Sequence, residues 1–322
     1  MAEEKKKAKK AAKKAAKRAV AKKAAPKKAA AKKGAAKKAS QKNISGYGMG
    51  KVDVVMSVDQ VAKEAASIAA NAPSLDKLHD LAGQKPFLKI DNLRAGYGKM
   101  EILHDFTLEV AKGQSLCLIG PNGAGKSTVL HSIFGFTNIF GGTISVEGRD
   151  ITNLTPSQKL AEAGIAYILQ DKSVFPQMTV EENLLMGGFL KNKPLEAKQA
   201  AEMVFDKYSR LADRRDKPAG VLSGGERRLL EISRALVMNP DVLLVDEPSI
   251  GLEPRFIDMV FDILDDLQRR DGKTIIMVEQ NAKKGLDFAD LGYVLVSGET
   301  AMADPGSALL ANPDVGRLFL GG

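Results

Sequence analysis

The segment Gly120-Pro121-Asn122-Gly123-Ala124-Gly125-Lys126-Ser127-Thr128 follows the pattern G-x-x-x-x-G-K-S/T and constrains this chain more than any other stretch. It follows the apolar run Ser115-Leu116-Cys117-Leu118-Ile119, which reads as a buried strand, and Ser127 onward reads as helix. A strand that enters a glycine-rich turn and leaves as a helix makes a phosphate cradle. Its glycines let successive backbone N–H groups turn onto an anion where a Cβ would obstruct it, and the helix N-terminus adds a positive partial charge. Lys126 is placed for the β- and γ-phosphates of a nucleotide and the Ser127 hydroxyl for Mg²⁺. A chance glycine loop is the competing reading, and the flanking strand and helix weigh against it.

Two further segments narrow the chemistry. Val242-Leu243-Leu244-Val245 is a short apolar strand that ends in Asp246-Glu247. A carboxylate at the C-terminal edge of such a strand sits beside the phosphate site, where Asp246 can hold Mg²⁺ directly or through water. Glu247, on the other side of the strand, can orient or deprotonate an attacking water. Leu222-Ser223-Gly224-Gly225-Glu226 opens a helix through Leu229, Leu230, Ile232, Ala235 and Leu236. Glycine N–H groups, a serine hydroxyl and a helix N-terminus make a second anion-binding edge, against the plainer reading of a helix cap.

Charge is distributed unevenly along the 322 residues. Residues 1–42 carry 18 Lys and Arg against Glu3 and Glu4, a net of +16; the rest carries 30 basic and 37 acidic residues, a net of −7. The high pI therefore belongs to a Lys/Ala-rich tail with no apolar face and no aromatic residue, which is expected to be disordered. Such a tail serves as a solvated solubility aid or attaches to an anionic polymer or acidic lipid, with little base preference. A transit peptide would be richer in Arg and Ser. Residues 43–85 read as a bridge whose Val58, Val61, Ala62, Ala65, Ile68 and Ala69 recur at helical spacing up to Pro73. The single cysteine, Cys117, excludes an internal disulfide and reads as a buried strand residue. No apolar run is long enough to span a membrane and the N-terminus lacks an apolar secretory core, so a cytosolic chain is expected.

From Pro86 the pattern is that of a layered α/β domain. Strands are expected at 87–90, 106–110, 115–119, 144–146, 242–245, 274–278 and 293–296, and mostly helix over about 155–235. The three histidines, His79, His104 and His131, receive no role.

Taken together, the phosphate loop, the Leu222–Glu226 segment, and Asp246-Glu247 followed by Pro248-Ser249-Ile250-Gly251-Leu252 resemble the nucleotide-binding subunits of ATP-binding-cassette (ABC) transporters over roughly residues 86–322. The resemblance implies the P-loop ATPase fold with an inserted helical subdomain, ATP and Mg²⁺ as ligands, and ATP hydrolysis. It implies that Ser223, Gly224, Gly225 and Glu226 meet the nucleotide held by a partner ATPase. Tyr97 matches the aromatic that stacks on adenine, and Gln170 the glutamine that senses the γ-phosphate through Mg²⁺ and faces the membrane subunit. Gln280 stands where many members carry a histidine; it can donate a hydrogen bond to the γ-phosphate but cannot be charged. Hydrolysis would then be slower or lean more on Glu247.

Val278-Glu279-Gln280-Asn281-Ala282, Thr179 to Leu184 and the ending Leu318-Phe319-Leu320-Gly321-Gly322 resemble one branch of the family, the second ATPase of branched-chain amino-acid importers and of urea and amide importers. That branch implies two multi-span permeases, a sister ATPase or a second copy, a periplasmic solute-binding protein, and a place on the cytoplasmic side of the inner membrane. Residues 1–85 fall outside its pattern. A rival class is a soluble ABC ATPase drawn to nucleic acid by the basic tail; the single cassette and the lack of a long heptad segment count against it.

Overall fold

Two sheets and a set of helices position the loop. The computed structural model describes residues 72–170 and 173–319, so the expected tail and the expected helix around residues 58–69 lie outside the described residues. Along the chain the elements are α1 (Leu75–Leu81), β1 (Leu88–Tyr97), β2 (Met100–Val110), β3 (Ser115–Ile119), α2 (Lys126–Phe134), β4 (Asn138–Val146), β5 (Arg149–Asp150), α3 (Pro156–Glu162) and β6 (Ile165–Ile168). They continue with α4 (Val180–Gly187), α5 (Pro194–Lys207), α6 (Ser209–Ala212), α7 (Gly224–Leu236), β7 (Val242–Asp246), α8 (Pro254–Arg269), β8 (Thr274–Val278), α9 (Ala282–Phe288), β9 (Leu291–Val296), β10 (Glu299–Pro305), α10 (Gly306–Ala311) and α11 (Pro313–Phe319).

The larger sheet runs β10-β9-β3-β8-β7-β6, parallel except for the β9–β10 pair. The smaller runs β2-β1-β4-β5 and is antiparallel. Strands β3, β7 and β8 are buried at every residue, as continuous apolar runs require when both faces of a parallel sheet are covered. Alternation divides them between two cores. Leu116, Leu118, Leu244 and Ile276 pack with α2 and the smaller sheet, through Val129, Leu130, Ile90 and Phe106. Cys117, Ile119, Leu243, Val245 and Met277 face α8 and α9, through Val260, Leu264 and Leu286. The Tyr293 hydroxyl joins the two sheets, donating to Glu109 O at 3.1 Å and accepting from Glu109 N at 3.2 Å.

A third core, formed by Val180, Leu184, Val204, Phe205 and Leu211, makes a helical subdomain of α4, α5 and α6. Helix α7 crosses between cores, placing Leu229 and Leu230 in the third and Ile232 in the second. The expectation of helix over 155–235 needs one correction. β6 interrupts that stretch and pairs in parallel with β7, so it belongs to the larger sheet. Its four residues are too few to show a strand period apart from the surrounding helices.

At the end of the bridge expected over residues 43–85, α1 packs on the α/β domain. Ser74 caps it, accepting from Lys77 N, and Leu78 is buried in the first core. Gln114 donates to Leu81 O at 3.1 Å, and Lys77 pairs with Asp304.

Lys159 on α3 is wholly buried and donates to Ser132 O at 3.2 Å, at the C-terminal end of α2 where the helix dipole favours a cation. Burial still pushes its pKa down to about 8, with Asp150 pulling the other way. An ordinary lysine titrates at 10.5, so between about pH 8 and 10.5 the unfolded chain holds more protons than the folded one and stability rises with pH. Lys159→Met should abolish that rise and stabilise the fold near neutral pH by about 1–3 kcal/mol. The Ser132 carbonyl would keep its bond from Gly135 N. Urea unfolding across this pH range tests it; parallel pH profiles for both proteins would show that Lys159 is not the titrating group.

Candidate functional site

The phosphate loop joins β3 to α2 at the carboxyl edge of the larger sheet. Gly120 holds φ 147°, and a Cβ there would lie 2.2 Å from Leu295 O; only glycine fits. Gly125, at φ 98°, is the N-cap of α2. Lys126 Nζ donates to the carbonyls of Gly120 and Pro121 at 2.9 and 3.0 Å, so the ammonium lies within the curve of its own loop. Burial lowers its pKa, while Glu247 and Asp246 act to raise it. A cavity of about 380 Å³ opens here, lined by Gly120, Pro121, Asn122, Gly123, Ala124, Lys126, Glu247 and Gln280. Thr128 is buried in the helix and does not line it.

Asp246 ends β7 at 7% exposure. Ser127 donates to its Oδ1 at 3.2 Å and Tyr167 to its Oδ2 at 2.9 Å. Burial and the Asp246 charge both raise the Tyr167 pKa, which keeps the phenol a donor. Ser127 and Asp246 form an all-oxygen pair, and the described residues contain no group of three or more His, Cys, Asp or Glu able to hold a metal. Such a pair suits a hard divalent cation held mainly by phosphate oxygens, as Mg²⁺ is in nucleotide sites.

Glu247 follows in the left-handed region at φ 43°, its N–H bonded to Val278 O at 2.9 Å. A non-glycine residue held there stores about 1–3 kcal/mol of strain, and such strain clusters at functional sites. Gln170 Nε2 donates to Glu247 Oε2 at 2.8 Å. The glutamine expected to reach Mg²⁺ is therefore bonded to the expected base. Gln280 is exposed on the cavity wall, and its neighbour Glu279 is buried. The Ser249 hydroxyl donates to Glu279 Oε1, while Oε2 has no partner, and burial raises the carboxyl pKa. Glu279, an acid that ends a run of five buried residues, carried a signal in the sequence to which no role was attached.

The second anion-binding edge expected from the sequence lies elsewhere. Ser223 caps α7 in a reciprocal box: its hydroxyl accepts from Glu226 N, and Glu226 Oε2 accepts from Ser223 N at 2.9 Å. Those bonds depress the Glu226 pKa and commit its carboxylate to the cap. Gly224 is exposed, but Gly225 is buried, where a Cβ would meet the Phe256 ring at 2.2 Å. None of Ser223, Gly224, Gly225 or Glu226 lines the phosphate-loop cavity. Gly224 instead lines a second cavity of about 650 Å³ with Gln170, Arg227, Ile250 and Leu252.

Arg228, one turn along α7, was not singled out from the sequence. It is buried and donates to Leu169 O at 2.8 Å, to Glu231 at 2.9 Å and to Asp246 O at 3.5 Å. It thereby ties the helical subdomain to both the Gln170 loop and the end of β7. Tyr97 ends β1 and is 41% exposed, and its hydroxyl shares a hydrogen bond with His131 of α2. No role for His131 was legible in the sequence.

A family model described as ABC transporter matches residues 103–250. The chain is 44% identical to the high-affinity branched-chain amino acid transport ATP-binding protein BraG of Pseudomonas aeruginosa, over 73% of this chain and 100% of that relative. It is 31% identical to the lipopolysaccharide export system ATP-binding protein LptB of Haemophilus influenzae, over 73% of this chain and 97% of that one. The crystal structure of a nucleotide-free ATP-binding cassette from an ABC transporter superposes with a TM-score of 0.65 at 30% identity, covering 74% of this chain and 100% of the other. The chain belongs to the ABC transporter family, as one of its ATP-binding, ATP-hydrolysing subunits.

Proposed function

We propose that this chain is the ATPase of an importer for branched-chain amino acids or related small solutes such as urea or amides. It would work at the cytoplasmic face of the inner membrane with two permeases, a periplasmic solute-binding protein, and a sister ATPase or second copy. The observation that carries the coupling is the place of Gln170. Its amide is bonded to Glu247. The adjacent Leu169 lines an apolar groove with Phe175 and Met186, all three exposed. A groove beside the Gln170 loop with these exposed apolar side chains suits an apolar segment of a permease, and among the described residues no helix is long and apolar enough to cross a membrane. The greater identity to the amino-acid transport relative than to the export relative favours import.

In this reading the loop N–H groups and Lys126 bind the triphosphate, and Ser127 and Asp246 hold Mg²⁺. The cation would neutralise phosphate charge during transfer. Glu247 orients the water and accepts its proton. Gln280 donates to the γ-phosphate, and Gln170 holds Glu247 until the groove is engaged. Because Ser223 and Gly224 lie outside the phosphate-loop cavity, a second ATPase supplies that edge, and ATP draws the two together. The basic tail, residues 1–42, is an accessory that attaches to acidic lipid or nucleic acid. The rival reading, a soluble ATPase acting on nucleic acid, has no observation in the described residues that favours it.

Glu247→Gln should leave ATP binding intact and lower turnover by about 10²–10⁴-fold, seen by phosphate release beside nucleotide binding. Turnover within threefold of the parent would remove Glu247 from the role of base. Gln280→Ala, which deletes one hydrogen bond to a charged phosphate, should lower turnover by about ten- to a hundredfold. For the partners, tagged full-length chain, a version lacking residues 1–42 and Met186→Asp are purified from gently solubilised cells. Two multi-span permeases and a sister ATPase should accompany the first two, with the permeases lost from the third. Nucleic-acid-binding proteins without any permease would establish the soluble rival.

A further inference from the structure

His131 is the half-buried group that the phosphate chemistry leaves without a task. It lies five residues beyond Lys126 on α2, about one and a half turns along that helix. Its Nδ1 shares a hydrogen bond with the Tyr97 hydroxyl, and the two rings meet edge to face at 6.0 Å. The imidazole is itself fixed by aromatic neighbours. It lies edge-on to Tyr167 at 5.7 Å and 74°, and to Phe136 at 5.8 Å and 72°. Tyr167 in turn stacks on Phe134 at 5.6 Å and donates to Asp246 Oδ2 at 2.9 Å. Desolvation lowers the His131 pKa, with Asp246 opposing, so its neutral form is favoured and can accept the Tyr97 proton.

A chain of contacts thus runs from the exposed Tyr97 at the end of β1 through His131 and Tyr167 to the Asp246 carboxylate. The tyrosine is otherwise a free surface ring, 41% exposed at the end of a strand. A ring that must stack on a nucleotide base loses affinity if it has to be immobilised at the moment of binding, and an anchor already in place removes that cost.

We propose that His131 is the positioning residue for base recognition, holding the Tyr97 ring as a fixed platform beside the phosphate loop. The proposal rests on Tyr97 being the surface on which the base stacks. The anchor acts on the base end of the nucleotide alone, since Lys126 and the loop N–H groups hold the phosphates without it. Affinity for a ligand that lacks a base is then indifferent to His131.

The test uses the full chain and steady-state ATP hydrolysis, with inorganic triphosphate as a competing ligand that has phosphates and no base. Tyr97→Phe removes only the hydroxyl and His131→Leu only the anchor; each should raise the KM for ATP about three- to tenfold and leave kcat within twofold. The double variant should be no worse than either single one, because both remove the same bond. His131→Asn, which keeps an acceptor near the Nδ1 position, should restore most of the affinity, and inhibition by inorganic triphosphate should be unchanged throughout. An unchanged KM in Tyr97→Phe overturns the proposal even if His131→Leu fails to fold. Weakened triphosphate inhibition in the His131 variants also overturns it, by showing that α2 itself was disturbed. Tyr97→Ala separates the two levels. If it raises KM while Tyr97→Phe does not, the platform stands and the anchor falls; if neither raises KM, the platform reading falls as well.

Discussion

A carboxylate cannot end a fully buried strand unless its lone pairs are met, and Asp246 is met from two directions. Ser127 reaches it from the start of α2 and Tyr167 from β6, while the buried Arg228 of α7 approaches its backbone carbonyl. Stripping either side-chain partner would leave a buried acceptor short of a donor, at a cost of about 1–3 kcal/mol or more for a charged group. One residue therefore fixes the phosphate-loop helix, the strand leading to Gln170 and the helix opened by Ser223 relative to each other. The site's geometry follows from that satisfaction requirement.

The same logic explains why the helical subdomain has polar links to the core beside its packing. Its own apolar core is separate, and α7, together with Ile263 of α8, links it to the second core. Arg228 bonded to Leu169 O and Gln170 bonded to Glu247 are directional contacts that a small rotation would lengthen. These two bonds are the polar links through which the proposed coupling would act.

Backbone and burial at the hydrolytic end are arranged around two acids that behave differently. Glu247 is partly exposed and sits in a strained left-handed conformation held by Val278 O. Glu279 is buried and bonded to Ser249, its pKa raised by the same burial that hides it. The loop from Glu247 to Leu252 and the segment at Gln280 are joined through that bond, so the proposed base and the proposed γ-phosphate donor share one support.

Much of the fold was legible because it rests on local rules. The phosphate loop needs glycine at Gly120 and Gly125, buried parallel strands need continuous apolar runs, and a capped helix needs Ser223 with Glu226 three residues on. What stayed hidden had no local signal. β6 is four residues within a mostly helical stretch, and α1 reveals its place only when Leu78 meets the first core. Phe256, thirty-one positions away in sequence, leaves no room for a Cβ at Gly225, a constraint that no local pattern displays. Arg228, Glu279, Tyr167 and His131 acquire roles from neighbours far along the chain. Residue type and spacing alone dictate which atoms at each motif can bind phosphate or hold a proton. Which motifs share a site is settled by folding, because hydrogen bonds and ring contacts act over a few ångströms of space, and chain distance carries no information about them.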